Sequence, residues 1–575
     1  MPDNYAPIQP AEGVPRAHGA DGPGPAPSPV TALLMQLLLS ALAGTLLFLS
    51  FPPVDLWPLA FVALVPLLVA VSRTRSCRAA ILCGATAALA FYLPSFAWVA
   101  SVAVPGWLGL TVYCGLYVAA AGGIVRLLQR NTGALWPVLT AFVWAGLELL
   151  RARLGPGFPW LFLGYTQYRY AALLQLAALG GVYAVSFVVV LVNAVLAGPV
   201  IAALRRFPST RRVALERPLL AVALLGLALF LLGLLGDSAK AGLEIREGPT
   251  VGVVQQNIPR LVEEIYDPGK DLEERYREGE AEVQLCAQLT ARLRRDDVRM
   301  VVWPETSVPV PLDLPGEFFG RERERSIQRQ TLDYVRALGG DMGAYFLVGA
   351  PAYVSREAVA SGSLLYGVHV QLEFGNSAVL LSPGGEFIER YDKMRLVPFG
   401  EYIPLRDSLP FLQALTPIPR ELTPGEKEVV FSLPDEDGGA VRFAALVCYE
   451  DVFADLTASF RRRGVDFFVN VTDEGWYVIP GELGQHLAMA VFRAVETRAT
   501  VVRAANTGVS CFIDPSGEVY AAIKPLEEGV LSAPVRLCDT VPPYVRYGDC
   551  FGVLCLMLAI SLPPIVASLR RQDAS

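Results

Sequence analysis

Charge is scarce in this 575-residue chain, where Asp, Glu, Lys and Arg make up 18% of residues against about 25% in soluble domains. Hydrophobic residues fill the gap at 53%, with a mean hydropathy of +0.42, which excludes a disordered, collagenous or coiled-coil chain. A basic excess is missing too. The formal net charge is −7, so the chain has no electrostatic footprint for nucleic acid and no nucleic-acid partner is expected. The nine cysteines lack CxxC spacing and several sit in apolar runs. They signal neither a disulfide framework nor a zinc site, and no metal or organic cofactor is expected. Histidine is rarest of all: His18, His369 and His486 are the only three, which narrows the choice of catalytic base.

What is abundant is uncharged helix-length sequence. Runs at 30–51, 56–71, 79–104, 107–125, 134–150, 182–204, 218–235 and 551–569 mostly approach the ~20 residues that cross ~30 Å of hydrocarbon as helix. They predict a multi-pass α-helical membrane domain of about eight spans. Glu148 interrupts the fifth run and is expected to pair with Arg151 or Arg153, because an unpaired carboxylate in lipid is costly. Arginines orient the spans. Arg73, Arg75 and Arg78, then Arg126 and Arg130, then Arg205, Arg206, Arg211, Arg212 and Arg217, and finally Arg570 and Arg571 follow alternate runs. The connections 51–55 and 104–106 carry no Lys or Arg. The positive-inside rule then places both termini in the cytoplasm. The connection with Arg151, Arg153 and Arg169 also holds the apolar stretch 155–164 and reads as a partly buried loop.

The expected organisation is a disordered cytoplasmic tail over 1–29, which lacks signal-peptide regions. Transmembrane helices one to seven follow over 30–236, a soluble domain over 237–549 on the non-cytoplasmic side, a last transmembrane helix over 550–569 and a short cytoplasmic tail over 570–575. Within the soluble block, runs at 250–255, 298–303, 344–348, 377–382, 443–447, 466–471 and 500–505 read as strands, and 273–295 and 485–498 as amphipathic helices, giving an α/β domain.

Two of these strands deliver a reactive group at their ends, and a third element offers a cation. Val301-Val302-Trp303-Pro304-Glu305 presents a carboxylate where Pro304 stops the ladder. Ala445-Leu446-Val447-Cys448 presents a thiol. A Pro- and Gly-punctuated loop carries Lys393 and Glu401. A thiol acts as a nucleophile only as thiolate. With few histidines at hand, Glu305 as proton acceptor and Lys393 as stabiliser of thiolate and oxyanion form the economical arrangement. The apolar run before Glu305 predicts a buried carboxylate with a shifted pKa.

The strings WPET, KMRLVPFGEYIP, VCYED, NVTDEGW, QHLAMAVFRAVETR and RAANTGVS resemble the nitrilase, or carbon–nitrogen hydrolase, superfamily and in particular its membrane-anchored branch, the apolipoprotein N-acyltransferases. SFPPVDLWPLA, GFPWLFLGYTQ and GGVYAVSFVVVLVNA resemble that branch's helical segments, so the likeness runs from about residue 35 to 567. It implies a Glu305, Lys393, Cys448 triad on an extracytoplasmic α-β-β-α sandwich. Cys448 would take an acyl chain from a membrane glycerophospholipid, release the lysophospholipid, and pass the chain to the α-amino group of the diacylglyceryl-cysteine of an apolipoprotein. The setting implied is the bacterial cytoplasmic (inner) membrane with the catalytic domain on its periplasmic side. Glu401, Tyr449, Glu450, Trp476 and Glu496 match supporting positions, and Tyr266 and Phe399 lie on segments matching substrate loops. Two departures are visible: Tyr266-Asp267-Pro268 where many members have Trp before Asp-Pro, and Asp473-Glu474 where Asn-Asp is usual. The 155–164 loop and the 399–428 segment are expected to frame a lateral opening to Cys448. The competing reading is a membrane-tethered amidase that passes the acyl group to water.

Overall fold

The computed structural model describes residues 28–155, 157–204, 211–260, 270–294, 296–313, 319–359, 369–408, 410–415, 421–434, 439–476 and 481–573. Helices come first: α1 (Pro29–Ser50), α2 (Val65–Arg73), α3 (Cys77–Ser95), α4 (Val104–Asn131), α5 (Trp136–Arg153), α6 (Ala171–Leu174), α7 (Ala177–Leu204) and α8 (Arg211–Ala241). Among the described residues six helical stretches are long and apolar enough to cross a membrane: Pro29–Ser50, Cys77–Ser95, Val104–Asn131, Gly133–Arg153, Ala177–Leu204 and Leu220–Ala241. The second and the last of the expected spans form shorter apolar stretches, Trp57–Arg73 and Cys550–Leu562. Pro58 and Pro66 divide the former into a 3-10 turn and α2, since proline lacks the amide a continuous helix needs and suits a helix's first turn.

Small residues set the spacing of these helices. A Cβ on Gly44 would lie 2.2 Å from the Ala87 carbonyl oxygen, and one on Gly84 would lie 2.5 Å from that of Val118. Close backbone approach of this kind drives helix association where the hydrophobic effect cannot. Glu148 does not pair directly with an arginine as expected. Its Oε1 accepts from Trp144 Nε1 at 3.1 Å and from the Leu163 amide at 2.8 Å. The reason is the loop after α5, which folds back over it. Arg151 bonds to Tyr92 Oη and to the carbonyls of Trp160 and Leu161, while Arg153 reaches Asp455 and Asp549. That loop is buried throughout 159–168, as its apolar sequence suggested.

Strands β1 (Ile245–Gln255), β2 (Met300–Trp303), β3 (Tyr345–Val359), β4 (His369–Leu381), β5 (Phe387–Asp392), β6 (Phe431–Pro434), β7 (Ala440–Val447), β8 (Phe467–Thr472), β9 (Thr500–Ala505), β10 (Cys511–Ile513), β11 (Val519–Ala522) and β12 (Gly529–Cys538) build the rest. They form two six-stranded sheets, ordered β12-β1-β2-β3-β4-β5 and β11-β10-β9-β8-β7-β6. Each has a parallel centre, β1-β2-β3 and β7-β8-β9. Period-two alternation explains how they pack. Met300 and Val302 face the second sheet's Ala445, Val469 and Val502 in one core. Val301 and Trp303 point the other way, under α9 (Leu272–Thr290) and α10 (Glu322–Met342). On the second sheet, α11 (Ala454–Arg462) and α12 (Gly481–Thr497) cover the outer face. The result is the α-β-β-α sandwich, and α13 (Pro543–Tyr547) leads into α14 (Cys550–Asp573).

Helix α12 departs from the amphipathic expectation, because nearly all of it is buried, polar residues included. Its apolar side lies on the second sheet, and part of its polar side, with Gln485 and Glu496, is pressed against the helical half. Gln485 Oε1 accepts from the indole nitrogens of Trp98 at 3.3 Å and Trp160 at 2.8 Å. Its Nε2 donates to the carbonyls of Pro52 and Ser95. Four bonds to three separate membrane-side segments make Gln485 the pin of this interface. Gln485→Leu is expected to lower stability by roughly 2–4 kcal/mol, since a lost partner exposes each buried polar group to about 1–3 kcal/mol of desolvation. The measurement is the denaturant midpoint in detergent, and an unchanged midpoint would remove Gln485 from that role.

Candidate active site

The parallel centres of both sheets end on the same side, and the chemically loaded residues follow those ends. Glu305 comes two residues after β2, and Cys448 directly after β7 as the first residue of a 3-10 turn, Cys448–Val452. Cys448 holds a left-handed φ of +52°, which a non-glycine residue keeps only where its surroundings over-determine it. Lys393 follows β5, its amide bonded to the Asn376 carbonyl at 2.8 Å. The structure therefore brings together all three residues singled out in the sequence.

Lys393 Nζ lies 2.8 Å from Glu401 Oε1 and 3.6 Å from Glu305 Oε1, and its side chain is fully buried. Glu305, 6% exposed, accepts from Asn376 Nδ2 at 2.6 Å and from the Asp473 amide at 2.8 Å. Burial pushes the Glu305 carboxyl up to about 7, with Lys393 pulling against it and Glu401 and Asp473 reinforcing it. For Lys393 burial disfavours the charge, but Glu401 and Glu305 more than compensate, and its pKa is raised. Cys448 is half-buried. Burial, then Glu305, hold its thiol well above the usual range, while Lys393 favours the thiolate. At neutral pH the resting pair is thus a thiol facing a carboxyl poised between its two forms, which suits proton transfer concerted with attack.

Glu401 anchors its own loop as well, accepting from the Val397 amide at 2.8 Å. Glu450 braces two loops. Its Oε1 accepts from Tyr391 Oη, the Met394 amide and the Arg395 amide, and its Oε2 from the Val447 amide. The carboxyl group two residues after Cys448 thereby fixes the segment carrying Lys393. Tyr449 stacks with Phe158 and Trp160 of the membrane-side loop, at centroid distances of 6.4 and 6.3 Å. Trp476 sits half-buried on the turn after β8. Glu496 lies elsewhere, at the face toward the helical half, where it pairs with Arg493 at 2.7 Å and accepts the Val182 amide at 2.9 Å. Phe399, at φ +62° and 43% exposed, lies on the loop after Lys393. Tyr266 lies outside the described residues.

Sequence reading missed Asn376 and Asp473 as partners of Glu305. It also missed Arg260, which binds Asp473 at 3.1 Å and Glu282 at 2.6 Å. Asn376 sits in an ordinary strand with no signal around it. Asp473 acts through its backbone. Its carboxylate, standing where Asn is usual, is matched by Arg260 and Asn506. Among the described residues no cluster of His, Cys, Asp or Glu is arranged to hold a metal.

Residues 43–195 match the apolipoprotein N-acyltransferase N-terminal domain, and residues 250–542 match the carbon–nitrogen hydrolase domain. An amidase from Nesterenkonia sp. shares 19% identity over 53% of this chain and 96% of its own, with a TM-score of 0.34. The apolipoprotein N-acyltransferase of Chlorobaculum tepidum is 28% identical over 94% of this chain and 98% of its own. That of Geobacter metallireducens is 33% identical over 90% of this chain and 93% of its own. With both halves matched and the identity sustained along nearly the whole length, the chain belongs to the apolipoprotein N-acyltransferase family.

Proposed function

We propose that this chain is an acyltransferase of lipoprotein maturation, in which Cys448 carries a fatty acyl chain from a membrane glycerophospholipid to the α-amino group of an apolipoprotein's diacylglyceryl-cysteine. The observation that carries the reading is the meeting of Glu305, Lys393 and Cys448 from three separate strand ends, in a protein whose other half is apolar helix.

In the first half-reaction Glu305 takes the Sγ proton as sulfur attacks the ester carbonyl. A C–S bond forms, and Lys393 faces the oxyanion. Collapse breaks the ester C–O bond, and the proton on Glu305 passes to the departing lysophospholipid oxygen. In the second, the acceptor amine attacks the thioester carbonyl and forms the amide C–N bond, Glu305 takes the amine's proton, and as the C–S bond breaks that proton passes to sulfur, restoring the thiol and the Glu305 carboxylate. Glu401 holds the Lys393 ammonium throughout.

Both substrates keep acyl chains in the bilayer, and withdrawing one costs about 0.8 kcal/mol per CH₂. A site at the membrane surface avoids that cost. The arginine distribution supports an inner-membrane protein with both termini cytoplasmic and the sandwich, 237–549, on the periplasmic side. The loop over 155–164 and the segment with exposed Phe399 are the candidate rims of the lateral opening. Mass spectrometry of the full chain, incubated with phosphatidylethanolamine vesicles, tests the reading. A fatty-acyl adduct on Cys448, discharged by an N-terminal diacylglyceryl-cysteine peptide, is expected. Amide hydrolysis without any lipid adduct would replace it with the amidase alternative.

A further inference from the structure

Behind the nucleophile's turn, four buried charged side chains close a ring that the transfer chemistry leaves unused. Asp451 comes three residues after Cys448, Glu474 directly after Asp473, His486 from α12 and Arg503 from β9. His486 Nε2 is 2.5 Å from Asp451 Oδ1, and its Nδ1 is 3.2 Å from Glu474 Oε1. Arg503 makes the same span, binding Asp451 Oδ2 through Nη1 and Glu474 Oε1 through Nη2 at 2.7 Å. Each cation thus touches both carboxylates.

A carboxylate oxygen at each ring nitrogen favours an imidazolium that donates from both, while Arg503 Nη2 lies 3.4 Å from Nδ1. Glu482 Oε1, 3.4 Å from Nδ1, adds a third negative neighbour. Burial and Arg503 oppose the charge, but Asp451 and Glu474 outweigh them, and the His486 pKa is raised well above its ordinary value. Trp160 covers the imidazole at 5.6 Å between centroids. Asn470 ties the ring to the nucleophile, donating to Asp451 Oδ2 and to the Cys448 carbonyl.

The two ends of the ring hold different halves of the catalytic pair. Asp451 belongs to the turn that keeps Cys448 in its left-handed conformation, and Glu474 adjoins the residue whose amide binds Glu305 Oε2. We propose that this ring sets the separation of Cys448 and Glu305, with His486 as a positioning residue that clamps their two loops together. Charge-assisted bonds in a low-dielectric interior are short and directional enough to do so. Because Arg503 duplicates the bridge, losing His486 should loosen the geometry without unfolding the domain. The proposal rests on the reading of Cys448 as nucleophile and Glu305 as base.

The test uses the full chain in phosphatidylethanolamine vesicles, with single-turnover acylation of Cys448 followed by mass spectrometry. His486→Gln is expected to slow acylation at saturating lipid at least 30-fold while the half-saturating lipid concentration stays within twofold. In the parent protein, ¹⁵N spectra are expected to show both His486 nitrogens protonated through pH 8.5. A rate within threefold of the parent's, an effect confined to half-saturation, or a ring that loses its proton between pH 6 and 7 would overturn the proposal. If His486→Gln fails to fold, Glu474→Gln serves instead. It leaves Asp451 bound to both cations and should slow acylation as much, and a parental rate would again overturn the idea. A parent protein that forms no Cys448 adduct would refute the underlying reading rather than this one.

Discussion

Cys448→Ala removes the fatty-acyl adduct altogether and lowers acyl transfer by about 10⁴-fold or more, the scale of loss when a covalent nucleophile is deleted. The expectation is sharp because both half-reactions pass through the same sulfur. A variant affecting only donor binding would leave a slow adduct, and one affecting only the acceptor would let the adduct accumulate. Glu305→Gln should come close to Cys448→Ala in rate, since the thiol is held protonated by burial and Glu305 is the base assigned to it. The pH dependence follows from the same group. Only ionised Glu305 can accept the proton, so acylation should rise from acid pH with a midpoint near 7 and level off above it. The linked stability has the opposite sense. A carboxyl raised in the folded state contributes stability that is present below its unfolded pKa and lost as pH rises toward 7. Rate–pH profiles of adduct formation check the first statement, and an acid limb centred near the ordinary carboxyl range would contradict it.

The second large effect is expected for Lys393→Met. Among the described residues this ammonium is the one cation bound to both Glu305 and Glu401. Its loss leaves two carboxylates facing each other in a buried site, an arrangement in which one of them is forced to stay protonated. Acylation should fall about 10³-fold or more, through loss of the oxyanion's partner, and the midpoint of the residual activity should move above 7 because Lys393 is what holds Glu305 down. An unpaired buried charge also destabilises a fold strongly. The double variant Lys393→Met, Glu401→Gln removes one carboxylate and should recover much of the thermal stability without recovering activity. Recovery of both would assign Lys393 to folding alone.

How much of this was legible beforehand differs from residue to residue. Glu305 and Cys448 could be read because each ends a short apolar run, and in a doubly covered parallel sheet such runs are strands whose ends face the site. Lys393 could be read because proline and glycine punctuate its loop. Asn376 and the Asp473 amide could not. Asn376 reaches Glu305 only because β4 pairs with β3 beside β2, across 71 residues of sequence, and a backbone donor leaves no mark in composition. The helical half shows the same division. Its apolar runs were plain, yet the partners of Glu148 depended on how the following loop folded back. In α12 the 3.6-residue periodicity was visible, whereas burial of its polar face required knowing that a second, apolar half lay against it.

That contact has a consequence for assembly. Helix α7 is interrupted at Gly180 and Gly181, which takes a φ of +66°, and the amide that restarts it, at Val182, is accepted by Glu496. The acceptor is synthesised more than 300 residues after the donor. While the ribosome is still making the sheets, the restarted segment has an amide whose partner does not yet exist, and only water can supply one. The bundle therefore completes its hydrogen bonding after the sandwich has folded and docked. Membrane insertion and the completion of the bundle's hydrogen bonding are separate events in time.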